Sequence, residues 1–85
     1  MKTETHASEI GSPEWERQGL TNHLAASFTN TSGEYLVSLQ LLNANGHAVA
    51  IADFRNGRIE RFDATHEHKA TAGVWLAMQI KLMAA

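Results

Sequence analysis

The sequence predicts a small α+β domain: an antiparallel three-stranded meander from Glu34 to Phe62, a C-terminal helix packed on one of its faces, and an N-terminal helix alongside. Three observations carry that expectation. Asn-Gly occurs twice, at Asn45-Gly46 and Asn56-Gly57, each time between apolar runs. That dipeptide suits the positive φ angles of a tight hairpin turn. The third observation is the long run after Thr65, whose apolar residues recur at helical spacing.

Taking each Asn-Gly as a two-residue loop fixes a register. The first turn pairs Ala44 with His47, Leu41 with Ala50, Leu39 with Ala52 and Val37 with Phe54. Opposed residues share a face, so large side chains on one strand meet alanines on the next and leave room for a helix. The other face then pairs Leu42 with Val49, Gln40 with Ile51 and Ser38 with Asp53. The second turn adds Ile59 to the first face, Glu60 opposite Asp53 and Phe62 opposite Ile51 on the second. Ile59 and Phe62 are three apart, so an unbroken strand sends them to opposite faces, and only a bulge reunites them. An unbroken strand leaves an apolar patch of Leu42, Val49, Ile51 and Phe62 beside an acidic corner at Asp53 and Glu60.

Thr65 is the expected cap of a helix from His66 to Met83, with Glu67 in its first turn. Two apolar stripes follow: Thr71, Val74, Trp75, Met78 and Leu82, then Ala72, Leu76, Ile80 and Met83. A helix covering one sheet face needs an apolar arc of roughly 100°; this arc is about twice as wide. The second stripe is expected against an N-terminal helix of the same chain.

That helix should open at Ser12-Pro13-Glu14, carry Trp15 and stop near Gly19. Leu20, Leu24 and Phe28 continue the helical spacing, whereas Leu24, Ala26 and Phe28 also alternate as in a fourth edge strand. The helix is the reading preferred for residues 20–28. Thr29 to Gly33 is a loop in either case. Residues 1–11 read as a mobile arm and 12–85 as one domain.

With 85 residues, 44% of them hydrophobic, the chain can build one modest core and does not have the composition of a disordered protein. No apolar run has the length of a membrane span and no signal-peptide pattern opens the chain. The absence of cysteine excludes disulfides, Cys-ligated zinc and thiol chemistry, and a cytoplasmic location is expected. A net charge of −2 gives nucleic acid no electrostatic help.

His66-Glu67-His68 is the most conspicuous cluster of polar side chains. Two histidines two apart on a helix point in nearly opposite directions and do not grip one metal. Asp53 and Glu60 form a cross-strand carboxylate pair of the kind that can share a proton, but the sequence sets no nucleophile or histidine beside them. Neither a nucleophile elbow nor a phosphate-binding or dinucleotide glycine pattern is present. No catalytic residue, cofactor or metal is therefore expected.

With a helix continued to Phe28, the element order resembles that of the double-stranded-RNA-binding domain. His47 follows the first hairpin turn, where that family often has a histidine, and His68-Lys69-Ala70-Thr71-Ala72 opens the last helix, where it carries a lysine cluster. The resemblance implies binding to RNA phosphates. Here the cluster is reduced to Lys69, and the first helix offers Glu14 and Glu16. Arg58-Ile59-Glu60-Arg61-Phe62-Asp63-Ala64-Thr65, running straight into the last helix, resembles the small accessory proteins of phages and mobile elements, among them the anti-CRISPR proteins. That likeness implies inhibition by occluding a host protein, without chemistry.

The function expected is a non-enzymatic protein–protein interaction module. Leu42, Val49, Ile51 and Phe62, rimmed by Asp53, Glu60 and Arg55, are the residues expected to meet a protein partner or a second copy in a homodimer. The alternative is a nucleic-acid binder of the double-stranded-RNA type. No membrane contact is expected.

Overall fold

The computed structural model describes residues 13–84. The arm expected over 1–11 and the Ser12 cap lie outside the described residues. The chain runs through α1 (Glu14–Arg17), β1 (Thr21–Thr29), β2 (Tyr35–Leu42), β3 (Ala48–Arg55), β4 (Arg58–Ala64), a 3-10 turn (His66–His68) and α2 (Lys69–Ala84). The four strands form one antiparallel sheet in the order β1-β2-β3-β4. The α+β architecture is the one expected, with the fourth edge strand in place of a longer first helix.

Gly19 decides that choice. It sits at φ +83°, its N–H bonds to Glu16 O at 3.0 Å, and the Leu20 N–H returns to Trp15 O at 3.0 Å. This is a helix stop built on left-handed glycine. It leaves α1 a single turn, with Pro13 just outside the helix. Past it, β2 offers backbone partners that outweigh the helical spacing of Leu20, Leu24 and Phe28. In the strand, Leu24 lies opposite Leu39 and Phe28 opposite Leu36, with a bulge between Leu24 and Ala26.

Two of the three hairpin loops share one design. Asn30 and Asn43 each accept N–H bonds at 2.9 Å through Oδ1 from the residues two and four further on. In both, a glycine three residues after the asparagine has φ near +85°, at Gly33 and Gly46. The first hairpin of the predicted meander is thus a longer loop over Asn43 to His47, closed by Asn43 N–H to His47 O at 2.8 Å. Asn56-Gly57, by contrast, is the predicted two-residue turn, with positive φ at both residues.

Register follows from these loops and from two bulges. Leu41–Ala50, Leu39–Ala52 and Val37–Phe54 pair as predicted. The longer loop shifts the ladder by one residue, and a bulge beside Leu42 shifts it back: Leu42 faces Ala48, leaving Val49 as the extra residue. A second bulge makes Glu60 the extra residue of β4, so Asp53 faces Arg61, Ala52 faces Phe62 and Ile51 faces Asp63. The predicted pairs Asp53–Glu60, Ile51–Phe62 and Leu42–Val49 are not formed. An inserted residue flips every side chain beyond it to the other face.

The core lies between the helix side of the sheet and α2. Val37, Leu39, Leu41, Val49, Ala50, Ala52 and Phe54 cluster with Ala72, Trp75, Trp15 and Leu20. The alanines of β3 supply the space and Trp75, at 0% exposure, occupies it. Phe62, Leu76 and Met83 pack on the margin. Helix α2 starts on the 3-10 turn, where the Thr65 side chain makes no capping bond and its hydroxyl meets His68 Nδ1 at 3.1 Å.

Candidate interaction surface

The residues expected to form one patch are divided by the bulges. Val49 is buried at 5% exposure and belongs to the core. Its carbonyl accepts the Thr65 N–H at 2.9 Å. Phe62 has turned to the helix side, half-buried against the core. Leu42 and Ile51 stay on the open face, both half-buried. Among them run the charged residues named as the rim.

Those charges form a lattice across the open face. Ser38 Oγ donates to Asp53 Oδ1 at 2.7 Å, and Arg61 lies 3.8 Å from Asp53 and 2.8 Å from Asp63. Arg55 holds Glu34 at 2.5 Å and also bonds Glu60. The Glu34 carboxyl is held below the usual glutamate value, first by the Asn30 amide that donates to it at 3.0 Å; burial opposes this, and the charge and hydrogen bond of Arg55 add to the lowering. Arg55 is raised above its ordinary value, chiefly by its bond to Glu60, and Arg61 likewise by Asp63. Asp53 and Glu60 thus answer to different arginines and do not face one another. Exposed ion pairs of this kind orient side chains more than they stabilise.

The histidines are dispersed. His47 closes a loop through its backbone, His68 meets Thr65, and His23 lies opposite Gln40 on the outer strand. Among the described residues, no group of three His, Asp or Glu side chains is placed to hold a metal ion.

No family model, curated protein or solved structure matches the chain. Nor is any helix among the described residues long and apolar enough to cross a membrane.

Bare apolar surface is present, but elsewhere than expected. Helix α2 buries Ala72, Trp75 and Gln79, and half-buries Leu76 and Met83. Val74, Met78 and Leu82 lie on its flank at i, i+4 and i+8, where they are 58%, 38% and 64% exposed. One residue in four along a helix makes a continuous stripe. The sequence shows these residues but not how the two stripes divide: Trp75 leaves the first for the core beside Ala72, while Ile80 of the second stays 42% exposed. Gln79 is drawn inside by Asn22, whose Nδ2 donates to Gln79 Oε1 at 3.4 Å while its Oδ1 accepts from Trp75 Nε1 at 3.1 Å. Leu24, Phe28, Tyr35 and Ile59 are the large apolar residues exposed on the sheet, between 42% and 57%. Phe28 borders a shallow depression of about 270 Å³ on the open face, together with Ala26, Leu36, Ser38, Asp53 and Arg55.

Proposed function

We propose that this chain is a non-enzymatic protein–protein interaction module working in the cytoplasm, which acts by laying apolar surface on another protein and occluding it. The observation that carries the reading is the stripe of Val74, Met78 and Leu82. A helix of a small domain normally turns charged or polar residues outward; this one leaves Val74, Met78, Ile80 and Leu82 exposed, three of them in one stripe, while the core is already filled by Trp75. Contiguous exposed apolar groups on a small protein mark contact sites. Interfaces of this type are centred on such anchors, with charges at the rim. The ion pairs of the open face, Arg55 with Glu34 and Glu60 and Arg61 with Asp63, lie on the other side of the sheet from α2 and are read as surface pairs outside this contact, not as reactive groups.

The test is a comparison of three proteins as baits in cell extract: the wild type, the double variant Val74→Lys/Leu82→Lys, and the control Ala77→Lys, which adds charge on the opposite flank of the helix. A protein retained by the wild type and the control but lost from the double variant supports the reading. Equal retention by all three contradicts it.

A further inference from the structure

The two edges of the sheet are treated differently. Both edge strands are bulged, but the β4 edge also carries Arg58, Glu60, Arg61 and Asp63 within seven residues, and charge is a usual defence of an exposed edge. The β1 edge has neither lysine nor proline. No Asp, Glu, Lys or Arg occurs between Gln18 and Gly33, and eight of the nine residues of β1 are exposed. Among the described residues no strand pairs on its outer side. We infer that β1 pairs with β1 of a second copy of this chain, antiparallel about a two-fold axis at Ser27, so that the sheet continues through a homodimer. This inference rests on the reading of the chain as an interaction module, and it names one partner.

The backbone sets the register. Asn30 N–H bonds Glu34 O at 2.9 Å. In an antiparallel ladder bonded and non-bonded pairs alternate, so Phe28–Leu36 is the next bonded pair, and Ser27, opposite Val37, turns its N–H and C=O away from β2. Thr29, opposite Tyr35, does the same. The bulge at Ala25 ends regular pairing there, and because Ala25 would meet Thr29 of the other copy, the regular ladder covers Ala26 to Phe28. A two-fold axis at Ser27 joins the two Ser27 backbones by a reciprocal pair of N–H···O=C bonds. It also puts Phe28 of each copy beside Ala26 of the other on the open face, a large side chain over a small one. A second copy is favoured over a foreign strand because a two-fold axis sets residues near it against their own images. A charge there would meet itself, and this edge has none; a foreign partner recognised by charge would find nothing to read.

The experiment is a charge exchange at Ser27, an exposed position where an edge strand tolerates a long side chain. Light scattering on the wild type should give twice the chain mass of 9.3 kDa, and hydrogen exchange should show the Ser27 amide slowed as concentration rises. Ser27→Lys and Ser27→Glu should each weaken association at least about tenfold, since like charges then meet across the axis. Mixed in equal amounts, the two variants should associate again. A wild type that keeps the mass of one chain overturns the inference. So does a dimer that survives both substitutions, even if Val74→Lys dissolves it; that last result moves self-association to α2 and leaves the interaction reading standing. Should one variant fail to fold, the other variant and the wild-type amide exchange decide.

Discussion

Asn22 does more for this fold than its exposed place at the start of β1 suggests. It is the one described side chain that joins Trp75 and Gln79, and so the one that ties the outer strand to the buried side of α2 by hydrogen bonds. Trp75 is wholly buried and Gln79 nearly so. Removing the amide leaves a buried indole N–H and a buried carboxamide without their partner, which costs about 1–3 kcal/mol. Asn22→Ala should therefore lower the unfolding free energy by about that amount in urea titrations, whereas Asn22→Asp, which keeps the acceptor for Trp75, should cost less. The sequence offered no hint of this role. A polar residue on a strand is read as solvent-facing, and only its position opposite Leu41 places it on the helix side.

At the scale of elements, the hairpins show which signals were legible and which were not. Asn56-Gly57 forms the turn that the dipeptide implies, because both residues hold positive φ. Asn45-Gly46 carries the same two letters in a different loop. There the asparagine that matters is Asn43, whose side chain organises the backbone ahead of Gly46, as Asn30 does ahead of Gly33. Even so, β2 pairs with β3 over Leu36 to Leu41 as the sequence predicts, since the bulge at Val49 cancels the longer loop. The bulge at Glu60 was only conditional in the sequence, through the spacing of Ile59 and Phe62, and it redistributed the expected patch. Arg55 then joins the Asn30–Glu34 loop to the bulged strand. The sign of its pH dependence follows from Glu34, whose carboxyl titrates lower in the fold than in the unfolded chain. Its contribution is present above the ordinary glutamate range and is lost as pH falls through its lowered value. Glu34→Gln should be less stable than wild type at neutral pH, with the gap closing on acidification; thermal midpoints of both proteins across that range measure it.

At the scale of the whole molecule, the sequence holds more large apolar side chains than one helix on one sheet can cover. That excess was legible from composition and spacing. Its location was not, because location depended on three bulges and on which flank of α2 the Trp75 indole chose. The surplus ends on the outer stripe of α2 and along β1, while Val49 and Phe62 were drawn toward the core. The stripe is spare: the fold does not need it. The direct measurement is the unfolding free energy of Val74→Lys/Leu82→Lys by urea titration, compared with wild type. Exposed positions outside special contacts move stability by about 0.5 kcal/mol each, so a total change within about 1 kcal/mol is predicted. A loss of about 3 kcal/mol or more, the cost of charging a packed core, would show that the stripe belongs to the core and would contradict the account.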